Sequence, residues 1–120
     1  MVAKSIVPDY ALGNHVAPLG VVFAAGESMP QQFRYGVFIG EHGSWNRSPR
    51  SGYKVLFVPF ANGQPSGRPV DVLTGFISGN DKAYGRPVGV RMDKSGALLV
   101  ADDVGNAIWR VAPSGARAAQ

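Results

Sequence analysis

Cysteine is absent from these 120 residues and histidine occurs only twice, at His15 and His42. Without thiols the chain builds neither disulfides nor thiolate metal sites, and it suits a reducing or an oxidising compartment equally. No apolar stretch approaches the ~20 residues of a membrane-spanning helix. The opening Met1-Val2-Ala3-Lys4 lacks the apolar core of a signal peptide, so an export signal, if the parent has one, is expected outside this piece. Basic runs are missing too. The net charge is +4, yet the 12 Lys and Arg residues are scattered singly, which argues against a nucleic-acid footprint, since that needs clustering on one face. Helical periodicity is equally scarce. Only Ser28-Met29-Pro30-Gln31-Gln32 allows a single helical turn, with Pro30 at its first position.

What the chain has in plenty is punctuation. It carries 16 glycines and 9 prolines, together about a fifth of its length and well above ordinary usage. Between them lie short apolar runs rich in β-branched and aromatic residues: Leu19 to Ala24, Gly36 to Gly40, Tyr53 to Phe60, Val70 to Phe76, Val88 to Met92, Ala97 to Ala101 and Ala107 to Val111. Such runs have the length and composition of strands. Hydrophobic residues make up 45% and charged residues 17%, a balance that favours a packed core over disorder.

The runs also repeat. Pro18-Leu19-Gly20-Val21-Val22-Phe23 matches Pro87-Val88-Gly89-Val90-Arg91-Met92; Gly36 to Glu41 matches Gly96 to Asp102 with slight slippage; Tyr53 to Val58 matches Asn106 to Val111. The first copy continues into a fourth strand, Val70 to Phe76, and the second stops after its third. Asn62-Gly63 and Lys94-Ser95-Gly96 supply residues that tolerate positive φ, and Asp93 can cap its own turn. Four antiparallel strands repeated with glycine-rich connections are the pattern of β-propeller blades, which bury their faces against neighbouring blades. The expected fold is therefore all-β, a partial propeller of roughly one and three-quarter blades. Residues 1–120 form one fragment, with blade one at about 16–78 and an incomplete blade two at about 84–113. A closed sandwich or barrel of seven strands satisfies the same periodicity.

Chemistry concentrates in Gly40-Glu41-His42-Gly43-Ser44-Trp45-Asn46-Arg47, directly behind the apolar Val37-Phe38-Ile39. A strand that ends by delivering an acid, an imidazole, a hydroxyl, an indole and a guanidinium reads as scaffold ending in a ligand-meeting loop. A tight connection with Trp45 on the core and its charges paired together is the plainer alternative. His42 is a candidate proton acceptor by virtue of its ordinary pKa of ~6.5. Asp102-Asp103 looks like a metal-binding pair, yet adjacent strand residues point to opposite faces. The pair is expected instead to bind the amides of the turn Val104-Gly105-Asn106, and no metal ligands are assigned.

His15-Val16-Ala17-Pro18-Leu19-Gly20, Phe38 to Arg47, Gly52-Tyr53-Lys54-Val55 with Val58-Pro59-Phe60, Gly85-Arg86-Pro87-Val88-Gly89-Val90 and Leu99 to Asn106 occur in an order that resembles the C-terminal part of the glucose/sorbosone dehydrogenase family. The resemblance spans about Pro8 to Val111. It implies a six-bladed propeller holding pyrroloquinoline quinone (PQQ) and calcium, which oxidises an aldose or related substrate in the periplasm or outside the cell. On that resemblance Arg86 is a cofactor-binding arginine at the entrance to an inner strand, and Glu41, His42 and Arg47 lie where the family presents another contact to the quinone. The family's catalytic base and calcium ligands belong to earlier blades.

Three functions follow. The chain is part of a quinone-dependent sugar dehydrogenase, contributing to the cofactor pocket and inactive alone. Alternatively it is a self-assembling module whose copies supply one another's missing blades. The third is a polysaccharide-binding module with Trp45, Tyr53 and Trp109 as stacking platforms.

Overall fold

The computed structural model describes residues 2–114 and turns the apolar runs into strands β1 (Pro18–Phe23), β2 (Gly36–Glu41), β3 (Lys54–Ala61), β4 (Gln64–Pro65), β5 (Val70–Leu73), β6 (Pro87–Met92), β7 (Leu98–Asp102) and β8 (Ala107–Val111). Local turn chemistry sets the hairpins. Asn62 and Gly63 both take positive φ, 54° and 76°, between β3 and β4. Asp93 Oδ1 accepts the amides of Ser95 at 2.8 Å and Ala97 at 3.0 Å, closing the β6–β7 turn in the way a capping aspartate should.

Some boundaries differ from the sequence reading. The helical turn is a 3-10 turn at Gln31–Phe33, and Pro30 precedes it in an extended conformation, φ −52° and ψ 150°, because its N–H-less ring suits the flank as well as the first position. The strand expected over Val70 to Phe76 ends at Leu73, since Gly75 at φ 96° turns the chain and drops Phe76 between the sheets, 6% exposed. The two-residue β4 and a second 3-10 turn at Val2–Lys4 carry too few residues to show a period.

The strands form two antiparallel meanders. In the first, β1, β2, β3 and β5 lie side by side and β4 folds back on the end of β3; the second runs β6-β7-β8. Register fixes which face meets which. Phe38 stands opposite Phe57 across β2 and β3, and both join Val55 in a cluster with Leu98 and Val100 of the second sheet. The Phe38 and Phe57 ring centroids are 4.9 Å apart. All five residues are fully buried, each stabilising the fold by roughly 1.5–3 kcal/mol before entropy is counted. At the inner edge β1 and β2 approach β6 so closely that a Cβ on Gly20 would lie 2.2 Å from the Val88 carbonyl oxygen. Only glycine permits that approach.

Neither sheet closes on itself. Val21 and Phe23 on the far face of the first sheet are each 65% exposed, and Ile108 on the far face of the second is 75% exposed. Two sheets stand side by side as wedges; the far face of the first is covered over β2 and β3, where Val37, Leu56 and Val58 are buried with Leu12 against them, and open at β1, and that of the second is open at Ile108. This is an all-β partial propeller with one blade of four strands and one of three, and not a closed sandwich or barrel.

Candidate functional site

At one end of the wedge pair, β2 delivers residues 41–47 and the second sheet delivers Arg86, immediately before β6, and Asp102-Asp103 at the close of β7. The loop is fastened at both ends. His42 and Gly43 donate their amides to the carbonyls of Ala17 and Val16, both at 2.9 Å, and Ser44 donates to the Ser51 carbonyl at 2.9 Å. Ser44 Oγ in turn accepts the Ser51 amide at 3.0 Å, so Trp45 to Arg50 forms a tip closed at its neck. Tyr53, 2% exposed, lies beneath and donates its hydroxyl to the Ser44 carbonyl. Gly43, at φ 92°, sits so close over the Tyr53 ring that a Cβ would meet it at 2.3 Å.

Arg86 clamps this loop from the other sheet. Its Nε donates to the His42 carbonyl at 2.9 Å and its Nη2 to the carbonyls of Gly43 and Ser44. The guanidinium carbon lies 5.0 Å from the Tyr53 ring centroid, a cation–π contact. Nη1 makes no hydrogen bond among the described residues. The Arg86 amide donates to Asp102 Oδ1 at 2.8 Å, so the arginine is held at both its backbone and its head.

Asp102 and Asp103 divide as strand geometry requires. Asp102, 4% exposed, accepts the Gly105 amide at 2.8 Å and the Trp109 indole N–H at 3.1 Å. Burial alone would push its carboxyl up, but the bonds from the Gly105 and Arg86 amides and from Trp109 together hold it below the ordinary carboxylate range. Asp103 turns the other way and meets His42 Nε2 at 2.8 Å. This contact ties the two sheets together at the site.

Arg86 and His42 are thus brought together. Arg47 lies exposed on the loop tip, its Nη1 reaching the Asn14 carbonyl at 3.4 Å. Glu41 is not with them. By strand alternation its side chain shares the face of Val37 and Ile39, opposite the face that meets the second sheet. It is 1% exposed, and neither carboxylate oxygen has a hydrogen-bond partner among the described residues. Its direct cross-strand neighbour Lys54 pairs instead with Asp71 at 2.9 Å. Burial pushes the Glu41 pKa up to about 7, with Lys54 opposing and Asp71 reinforcing the rise.

Sequence reading gives Tyr53 only as a stacking aromatic and Asp103 only as one of a turn-binding pair, and it does not select Arg50. Arg50 Nη1 bonds the Tyr53 hydroxyl at 3.0 Å, and Asp81 gathers the Ser48 hydroxyl and the Arg50 amide at 3.2 and 3.3 Å. Their only signal was proximity to the polar loop in sequence or in the matching position of the repeat. Of the suggested stacking aromatics, Tyr53 is core, whereas Trp45 is 75% and Trp109 46% exposed. Among the described residues no group of three or more His, Asp or Glu side chains is placed to hold a metal ion.

Residues 2–114 match the TrAA12-like family. The chain belongs to that family. It is 39% identical over 109 residues to an uncharacterized protein of Borreliella burgdorferi, covering 90% of this chain and 29% of that one. Over 57 residues it is 39% identical to the pyrroloquinoline quinone-dependent pyranose dehydrogenase of Coprinopsis cinerea, covering 48% of this chain and 7% of that one. Its fold superposes on the holo PQQ domain of the Coprinopsis cinerea enzyme with a TM-score of 0.75 and 28% identity, over 93% of this chain and 30% of that one. A calcium structure of the Trichoderma reesei carbohydrate-active enzyme of family AA12 gives a TM-score of 0.61 at 28% identity, over 78% of this chain and 24% of that one. This TrAA12-like chain therefore spans less than a third of the length of these relatives, and its fold is similar to part of the PQQ domain of the Coprinopsis cinerea enzyme.

Proposed function

We propose that the chain forms two neighbouring blades of a PQQ-dependent sugar dehydrogenase and contributes one wall of the cofactor pocket without turning over substrate alone. The observation that carries this reading is the Arg86 clamp: a guanidinium from one sheet fixes the polar loop of the other at the same end of both. PQQ is a flat, tricarboxylate ortho-quinone, and the donors here suit such a group. Nη1 of Arg86 and the exposed guanidinium of Arg47 are cationic donors matched to carboxylate and quinone oxygens, and His42 stands on the same wall. When bound, the quinone supplies the two-electron acceptor for oxidation of a sugar C–H.

Arg86 holds the loop carbonyls through Nε and Nη2, so the wall is organised before any ligand arrives. Such preorganisation is where electrostatic catalysis gains most. Arg47 sits on the closed tip and provides charge at the rim. Asp103 engages His42 Nε2 and thereby orients the ring, leaving Nδ1 as the atom that could take a proton, and this favours His42 as an auxiliary proton acceptor. Glu41 enters as the buried root of the loop. Calcium belongs to the full-length parent and would take its ligands from other blades. The parent's sugar substrate and a periplasmic or extracellular location follow from the same reading.

Two titrations test it. The isolated chain given PQQ, calcium, an aldose and a dye acceptor should reduce no dye, while a longer protein containing the remaining blades should. Dye reduction by the chain alone would overturn the claim of incompleteness. Absence of any effect of Arg86→Gln and Arg47→Gln on quinone affinity in the longer protein would overturn the site.

A second reading has its own observation, the apolar outer faces left open at Val21, Phe23 and Ile108. Copies of the chain would associate through these faces, each supplying the blades another lacks.

A further inference from the structure

We propose that the groove between the outer ends of the two sheets, framed by Trp109 and Tyr84, is a saccharide subsite that takes one pyranose ring of a glycan. The proposal rests on the reading above that the domain acts on sugars, and it adds a second contact for them. The groove encloses about 360 Å³ and is lined by Trp109, Tyr84, Phe76, Thr74, Gly75 and Asp102 among others. Small-molecule sites begin at roughly 300 Å³. Both walls come from this chain, one from the segment after β5 and the other from β8.

A pyranose presents an apolar C–H face and a rim of hydroxyls, and the groove offers both counterparts. Trp109 is held on two sides. Its indole N–H is bonded to Asp102 Oδ2 at 3.1 Å, and its ring meets Phe76 edge to face with centroids 6.3 Å apart. Even so, 46% of Trp109 remains exposed, while Phe76 behind it is only 6% exposed. A large aromatic ring fixed in orientation yet left open is a stacking platform that loses little freedom on binding. Tyr84, 57% exposed, is fastened through its amide to the Phe76 carbonyl at 2.7 Å and carries the Lys82 ammonium 5.6 Å from its ring centroid.

Hydroxyl partners are present on the same walls. Thr74 and Tyr84 each offer a hydroxyl that donates or accepts. Asp102, 4% exposed, is spent within the wall: Oδ1 accepts the Arg86 and Gly105 amides and Oδ2 the Trp109 indole, so it sets the platform's orientation and leaves the sugar hydroxyls to Thr74 and Tyr84. Asp102 also links this groove to the Arg86 clamp. An apolar ligand would leave these hydroxyls without a role.

The chain has two tryptophans, so its two indole N–H resonances report Trp109 and Trp45 separately. The chain is titrated with cellotetraose and, in parallel, with mannitol, an acyclic polyol that has hydroxyls but no ring face. The Trp109 resonance is expected to shift saturably with cellotetraose and not with mannitol. Tyr84→Ala, an exposed position, should weaken that binding about fivefold while leaving the rest of the amide spectrum in place. A Trp109 resonance that does not move into the tens of millimolar, that moves equally with mannitol, or whose affinity is untouched by Tyr84→Ala overturns the subsite. Quinone-induced shifts in residues 42–47 of the longer protein are read independently, so a failed subsite and a failed cofactor wall are distinguishable.

Discussion

Burial holds the Glu41 carboxyl near pKa 7 from an ordinary 4.5, against the attraction of Lys54, and this links the stability of the chain to pH. Because the folded-state value is raised, the folded chain retains a proton that the unfolded chain releases above pH 4.5. Stability from this group is therefore whole below that pH, falls as pH rises, and levels off above about 7. The difference corresponds to about 3 kcal/mol. Glu41→Gln should flatten the decline, making the variant more stable than wild type by about 2 kcal/mol at pH 8 but no more stable at pH 4.5, as urea denaturation at the two pH values would show. Arg86 provides the second test at this scale. Arg86→Lys loses the planar fork that reaches the His42 and Gly43 carbonyls together, and exchange of the loop amides should speed up about tenfold. Arg47→Gln, whose residue is exposed on the tip, should leave exchange unchanged while lowering quinone affinity in the longer protein.

Strands were legible from the chain because punctuation by Gly, Pro and Asn separates runs that have no helical period, and Asp93 and Asn62-Gly63 announce their turns chemically. What the runs concealed was why the inner strands lie so close. Gly20 and Gly89 hold corresponding places in the two repeats, yet their surroundings differ. A Cβ on Gly20 would lie 2.2 Å from the Val88 carbonyl oxygen, whereas one on Gly89 would find its nearest neighbour, the Ala101 Cβ, at 4.0 Å. Gly20→Ala should therefore destabilise the fold by about 3 kcal/mol, and Gly89→Ala should stay within about 0.5 kcal/mol. Thermal denaturation of the pair would show whether the close approach of β1 to β6 is as strict as the structure indicates.

As a whole molecule the chain presents apolar side chains on both outer faces. In a ring of blades those faces would be covered, and in the isolated chain they favour association. Light scattering of the isolated chain should show mass rising with concentration, and replacing the 65% exposed Phe23 with Ser should reduce that rise without lowering thermal stability by more than about 1 kcal/mol. Mass that stays at the monomer value would indicate that the exposed faces do not drive association.

The sequence by itself determined the strands, their repeat, the polar loop behind β2 and the separation of Asp102 from Asp103, because each depends on near neighbours along the chain and on the two-residue period of a strand. Tertiary structure alone decided that Arg86 would spend its donors on the His42, Gly43 and Ser44 carbonyls, that Asp103 rather than Asp102 would meet His42, and that Glu41 would be sealed away from the other three candidate residues. Those outcomes turn on which face of one sheet packs against the other. That choice is made by contacts between residues some forty to sixty positions apart, and it leaves no local trace in the order of amino acids.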